Sequence, residues 1–312
     1  MKTMLVLSMG ALLLAGTLSA QTPVPEWQAG VDKMKSLIQT NPAQASEEVG
    51  ELLKGKNKKN VDLVTSVAHV YLDAGKLTEA QEYLAMAKKA DNKDPKVSVL
   101  EGDIALAQKN IGQACQLYEQ AIYFDPNCKE AYLKYAQAYK SASPALAIEK
   151  LEQLKAVDPN CLEADRELAE VYYSSNRFGK AAEMYAKFID TPLATEDDML
   201  KYAFALFLNH DFEKSLQVAQ KGLQKNARHA AFNRLVMYKR YEDAEKAAHA
   251  FFNASDRADY SYLDYRYYGA LLSALKKYDE AIIEYGKALE KDGTQVDLWR
   301  EISDAHEMNN NY

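Results

Sequence analysis

The side chains that most often carry out chemistry are few and scattered in this sequence. Its five histidines show no His-Glu-x-x-His or other metal-binding spacing; they are His69, His210, His229, His249 and His306. There is no Gly-x-Ser-x-Gly turn and no glycine loop of the phosphate-binding kind. We therefore expect no enzymatic activity, no metal and no cofactor.

The cysteines and the paired acids are also expected to be structural. Cys115, Cys128 and Cys161 have no histidine close in sequence that could act as a base, and an odd, sparse set does not make a disulfide framework. Asp197 and Asp198 lie at a predicted helix start, where carboxylates interact favourably with the helix dipole.

The charge of the chain argues against a nucleic-acid partner. Its 38 Lys and Arg residues are outnumbered by 45 Asp and Glu residues, which gives a net charge of −7, and no basic stripe is present. Hydrophobic residues make up 48% of the chain, and this composition is typical of a folded protein rather than a disordered one.

Residues 1–20 have the order of a secretory signal. Lys2 precedes an apolar run that ends at Ala15, and small residues follow up to Ala20. The run is too short to span a bilayer, which takes about 20 residues, and no later stretch is apolar enough. We expect cleavage, export to the periplasm or cell envelope, and no transmembrane span after signal cleavage. An uncleaved anchor is the alternative.

The rest of the chain repeats itself with a period of about 34 residues. The segment that starts at Asp125 matches the one that starts at Asp158 in six of seven positions. Small residues recur at Ala80, Ala114, Ala147, Ala181, Ser215, Ala244 and Ala281. A second series precedes the first by a nearly constant interval, at Ala68, Gly102, Ala136, Ala169, Ala203 and Gly269. Two small residues per period indicate two helices that cross closely in each repeat.

This pattern resembles the tetratricopeptide repeat (TPR) family. The likeness rests on the period, the paired small residues, an Asp-Pro pair between repeats, and a tyrosine three residues after the first small one (Tyr71, Tyr139 and Tyr172). The resemblance implies an all-α fold in which helix-turn-helix repeats form an α-α superhelix, or solenoid. It also implies that first helices line a concave groove that binds proteins or peptides.

Three regions are expected. Residues 1–20 form the signal peptide, 21–60 a degenerate first repeat, and 61–312 an array of about seven repeats with a truncated last half-repeat. The repeat around Ala244 is five residues short and has Phe232 at its first small position, where crowding should bend or loosen the stack. Tyr312 aligns with the aromatic that opens a second helix, so we expect a longer protein that continues past it.

The groove positions follow from the register of the first helices. They predict a partner-binding groove that includes Arg166, Glu170, Tyr173, Leu200, Phe204, Phe207 and Arg266. The alternative is that the apolar members pack against the next repeat. The Lys and Asn pattern with which some TPR proteins clamp a terminal carboxylate is missing, because His69, Asp103, Gln137 and Glu170 stand where Asn would be.

Five tyrosines between Tyr260 and Tyr268 crowd one predicted helix, so one or two of them should be exposed. They are either a packed core or a binding surface. The sequence thus favours a non-enzymatic scaffold in the cell envelope that binds protein or peptide partners. Alternatives are a recognition module for glycans or peptides, and a sensory or assembly arm of a longer protein.

Overall fold

The structure, a computed structural model, describes residues 24–239, 244–254 and 260–309. This part of the chain contains seventeen α-helices, one 3-10 helix (Gly55–Lys59) and no strand. The helices are α1 Gln28–Leu37, α2 Pro42–Leu52, α3 Val61–Asp73, α4 Leu77–Ala90, α5 Pro95–Ala107, α6 Ile111–Phe124, α7 Lys129–Tyr139, α8 Pro144–Val157, α9 Leu162–Ser174, α10 Phe178–Phe188, α11 Glu196–Leu208, α12 Phe212–Lys225, α13 Ala230–Lys239, α14 Ala244–Ala254, α15 Tyr262–Ala274, α16 Tyr278–Lys291 and α17 Val296–Met308.

Consecutive helices pack in pairs. The chain divides after Asn92 into two compact units. In the first unit, α1 packs against α2 and α3 against α4. In the second unit, each odd-numbered helix from α5 to α15 packs against the helix that follows it, and α17 packs on α16. The odd-numbered helices are called first helices below and the even-numbered ones second helices. The predicted all-α class is confirmed.

The same tight turn closes five of the helix pairs. Its central residue has a positive φ: Gly75 (74°), Lys109 (63°), Asn176 (58°), His210 (64°) and Lys276 (62°). The next N–H donates to the carbonyl oxygen five residues earlier, as from Lys76 to Tyr71 at 2.9 Å, which satisfies an end carbonyl of the first helix. His210 is therefore a turn residue.

The two series of small residues lie where the helices cross, as predicted. No alanine or serine of either series whose side chain is described is more than 2% exposed. Gly102 shows why the position must stay small. A Cβ added there would lie 2.5 Å from the ring of Tyr118 on the paired helix. Gly269 has the same relation to Tyr285, at 2.7 Å.

The crowding expected at Phe232 is relieved by its neighbour. Phe232 is fully buried, and its ring lies against Gly222 on α12, where an added Cβ would overlap the ring. The large residue on α13 is therefore matched by the loss of a side chain on α12. The prediction treated Phe232 alone and missed this compensation.

The last helix, α17, buries only one side. Leu298 and Ala305 are buried, whereas Trp299 is 62% exposed. Residues at the corresponding place in earlier first helices, such as Tyr132 and Met199, are at most 4% exposed because a second helix covers them.

The predicted signal peptide and the prediction about Tyr312 concern residues outside the described part of the chain. Within that part, no helix combines the length and apolar character that a membrane crossing requires.

Candidate partner-binding face

The residues predicted for the groove are all half-buried and lie on three first helices. They are Arg166, Glu170 and Tyr173 on α9, Leu200, Phe204 and Phe207 on α11, and Arg266 on α15. The charged members form ion pairs with neighbouring first helices, and the apolar members pack in clusters.

Arg166 reaches across to the start of the next first helix. Its Nε donates to Oδ1 of Asp198 at 3.0 Å, and that carboxylate is 1% exposed. Asp198 also accepts from the backbone N–H of Thr195 at 2.8 Å, which completes a capping box on α11. Arg234 on α13 makes the same connection to Asp264 on α15, at 2.5 and 2.8 Å. Each pair joins successive first helices at a buried carboxylate.

A second arrangement links three helices through one acid. Asp103 on α5 accepts from the Tyr118 hydroxyl on α6 at 2.7 Å and pairs with Lys134 on α7 at 3.0 Å. The same arrangement occurs two repeats later. Glu170 accepts from the Tyr185 hydroxyl at 2.7 Å and from the Lys201 ammonium at 2.8 Å. Burial, and then the neighbouring acid, raises the pKa of each tyrosine, so its hydroxyl remains a donor.

Arg266 is held in the same way. Its Nη2 donates to Oε1 of Glu301 on α17 at 2.6 Å, and its Nε donates to Oε2 at 3.2 Å. A bidentate pair of this kind fixes the guanidinium. Arg166, Glu170 and Arg266 therefore connect adjacent repeats, and the sequence rule that placed them in the groove did not reveal their partners.

Leu200, Phe204 and Phe207 form an apolar cluster here called the α11 patch. They pack against a buried cluster, yet all three remain partly exposed; the cluster consists of Met199, Ala203, Ala219, Phe232 and Leu235. Phe207 also contacts Phe212 edge to face, with ring centroids 5.3 Å apart. The patch thus contributes to the contact between repeats and leaves apolar surface on a first helix.

Tyr173 on α9 lies at the edge of another apolar cluster. Its ring meets that of Phe178 on α10 edge to face, with centroids 5.7 Å apart. Burial raises the pKa of its hydroxyl. Tyr173 therefore supports the contact between α9 and α10 while part of its ring stays exposed.

A cleft of about 370 Å³ opens on α15 and is lined by Leu263, Arg266, Tyr267 and Ala270. Leu263 is 39% exposed and Tyr267 47% exposed, both high values for large hydrophobic side chains. Of these four residues, only Arg266 is named for the groove in the sequence analysis. We call this surface the α15 cleft.

The tyrosine cluster is mainly core. Tyr260 and Tyr268 are buried, and Tyr265 stacks on Phe252 with ring centroids 5.2 Å apart. Tyr267 is the exposed member, which confirms the prediction that the tyrosines could not all face inward.

The three cysteines, the strongest nucleophiles of the chain, are buried or half-buried. Cys115, Cys128 and Cys161 are free thiols, and burial raises the pKa of each, to about 11 for Cys115. A thiol with a raised pKa is a weak nucleophile at neutral pH. Within residues 24–239, 244–254 and 260–309, no three His, Cys, Asp or Glu side chains are grouped so that they could hold a metal.

Residues 67–127 and 136–193 match the family model described as the tetratricopeptide repeat. This chain contains tetratricopeptide repeats. The matched segments contain Asp103 with Tyr118 and Glu170 with Tyr185, whereas Lys134 and Lys201 lie just outside them. The solenoid class inferred from the sequence is confirmed.

Several solved structures are similar to this chain. PilF of Pseudomonas aeruginosa is 17% identical, with a TM-score of 0.50, over 66% of this chain and 94% of that chain. PilW, described as a widely conserved type IV pilus biogenesis factor, is 17% identical, with a TM-score of 0.51, over 64% of this chain and 92% of that chain. A TPR protein from Parabacteroides merdae is 14% identical, with a TM-score of 0.48, over 78% of this chain and 98% of that chain. No curated protein sequence matched the chain.

Proposed function

We propose that this TPR protein is a non-enzymatic scaffold of the bacterial cell envelope that binds protein or peptide partners along the groove lined by its first helices. The observation that carries the proposal is the apolar surface of the α11 patch and the α15 cleft. There, large apolar side chains stay partly exposed on first helices. Apolar and aromatic side chains of this kind commonly anchor partner segments.

The paired charges support the same function. Arg166, Glu170 and Arg266 are committed to ion pairs between repeats, so they hold the face rigid. A rigid face loses little conformational entropy when a partner binds. In this proposal, Leu200, Phe204, Phe207 and Tyr173 supply the contacts.

Photo-crosslinking tests the proposal directly. Benzoylphenylalanine at position 207 should crosslink a protein partner in intact cells, and the same group at Tyr123, which is 83% exposed on α6, should not. The captured protein is then purified and tested for binding to the isolated chain. Equal crosslinking at the two positions, or none at 207, would contradict a partner-binding groove.

Export is tested by the mass of the protein in the cell. The order of residues in 1–20 supports cleavage after Ala20. We expect the periplasmic or envelope fraction to contain a chain that begins at Gln21. A cytoplasmic chain that keeps the whole of segment 1–20 would reject the envelope location and leave partner binding as a separate question.

Glycan recognition is the second candidate, because Tyr267 offers a partly exposed aromatic ring beside the α15 cleft. Calorimetry with envelope glycans should then show binding that Tyr267→Ala abolishes. Absence of heat from every glycan would exclude this candidate.

A further inference from the structure

The α15 cleft occupies a position at which two earlier repeats carry a carboxylate. Tyr118 and Lys134 follow Asp103 along the chain, one on each of the next two helices. The same sequence intervals relate Glu170, Tyr185 and Lys201, and they relate Ala270, Tyr285 and Glu301. In the third set, Ala270 stands in the position of the acid, and Glu301 stands in the position of the lysine.

The tyrosine of the third set keeps its place. The ring of Tyr285 lies against Gly269 as that of Tyr118 lies against Gly102. The Tyr118 hydroxyl donates to the residue that follows its glycine, Asp103. At the third place that residue is Ala270, which has no acceptor, and the Tyr285 hydroxyl makes no hydrogen bond within the described residues. Ala270 lines the cleft, so the cleft opens beside the position at which the two earlier sets carry a carboxylate.

The charged side chains around Tyr285 carry a net negative charge, because the two acids Glu301 and Asp304 outnumber Arg266. Burial, and then the charge of Glu301, raises the pKa of Tyr285 to about 12; the charge of Arg266 lowers it, and that of Asp304 raises it. Arg266 is already engaged by Glu301, whereas Asp304 is exposed on α17. An incoming carboxylate would be repelled here, and a cation would be attracted.

We propose that the α15 cleft binds a peptide segment that combines a large apolar side chain with an adjacent Lys or Arg. The apolar side chain covers Ala270 between Leu263 and Tyr267. A backbone carbonyl of the segment accepts from the Tyr285 hydroxyl in place of the missing carboxylate, and the basic residue faces Asp304. This proposal rests on the proposed function, since it specifies the chemistry of the partner at one point of the same groove.

The test selects random twelve-residue peptides displayed on phage against the purified chain and measures the best peptide by fluorescence anisotropy. The enriched peptides should share a large apolar residue next to Lys or Arg. Ala270→Leu fills the cleft and should weaken the best peptide at least tenfold. Ala250→Leu makes the same change at an exposed site on α14 and should leave affinity within twofold. Circular dichroism melts check that both variants fold.

A second variant tests the charge. Asp304→Lys should weaken the basic peptide at least fivefold and should improve binding of a version in which its Lys or Arg is replaced by Glu. If peptides bind but Ala270→Leu has no effect, or if the enriched peptides are acidic, this inference is wrong and the proposed function stands. If no peptide binds the chain at all, both are rejected.

Discussion

Gly222 and Phe232 form a matched pair that a double-mutant cycle can test. A Cβ built on Gly222 would lie within 2.7 Å of three carbons of the Phe232 ring, whereas ordinary carbon contacts are about 3.5–4.0 Å. The ring is fully buried and cannot swing into solvent. Gly222→Ala must therefore displace the ring or α12 by roughly 1 Å to reach ordinary contact.

Two effects of Gly222→Ala oppose each other. Overpacking of this kind costs about 1–3 kcal/mol. Replacing a glycine inside a helix with alanine contributes about 1 kcal/mol of helix propensity. The net change should be a destabilisation of about 0–2 kcal/mol. In a Phe232→Ala background the overlap is absent, so Gly222→Ala should stabilise by about 1 kcal/mol. The coupling between the two sites is then about 1–3 kcal/mol.

Urea unfolding followed by circular dichroism measures the four proteins of the cycle. Native-state hydrogen exchange of α12 and α13 should accompany it, because repeat arrays can unfold in steps. Gly286→Ala is the control, since an added Cβ there meets nothing within 4 Å and should stabilise by about 1 kcal/mol. If Gly222→Ala stabilises equally with and without the phenylalanine, the ring does not lie on Gly222.

Four further predictions follow from the packing and the charges. Ala181→Leu should overfill a helix crossing and lower stability by about 1–3 kcal/mol, and an unchanged thermal melt would show that the register is wrong. Phe204→Ser combined with Phe207→Ser should abolish partner capture and should lower the free energy of unfolding, per ring, by less than the about 3–5 kcal/mol of a fully buried phenylalanine. A larger loss in urea unfolding would show that both rings belong to the core. Cys115 should react slowly with iodoacetamide at pH 8 in the native chain and rapidly in urea, because burial raises its pKa to about 11; equal rates would contradict its burial. Burial opposes the ionisation of Asp264, but hydrogen bonds from Arg234 and Ser261 outweigh it and hold the pKa below its ordinary value of 3.8. Its stabilisation is therefore present above about pH 4 and is lost as pH falls further, so the difference in urea midpoint between Asp264→Asn and the unmodified chain should shrink as pH is lowered below about 4; a constant difference would contradict this.

The sequence predicted the helices and their crossings well because the same residue pattern recurs in each repeat. Ala114 and Ala181 are placed by the period of the small residues, and a pattern that recurs so often leaves little freedom of register. The positive-φ residue of the turn was not predicted. Such a position is usually occupied by glycine or asparagine, but here two of the turns have Lys109 and His210 instead.

The roles of the charged residues could not be predicted from helix register alone. The register places Arg166 on the groove side of α9, but its partner Asp198 lies 32 residues away on another helix. Three acids begin α11, Glu196, Asp197 and Asp198, so the pairing depends on the angle and offset between helices, which the period does not fix. Phe232 shows the same limit, since its accommodation depends on Gly222 of the preceding helix.

The three sets that begin at Asp103, Glu170 and Ala270 suggest how a repeated fold gains a binding site. Where the acid is present, it accepts from the tyrosine and from the next helix's lysine, and the donors are used up inside the array. Where the acid is replaced by Ala270, the helix crossing survives, because Gly269 and Tyr285 still pack. The lost side chain removes an acceptor and opens space without disturbing the core. A partner can then supply the missing acceptor and fill the space. We therefore expect binding specificity to arise at the position where the repeat pattern breaks.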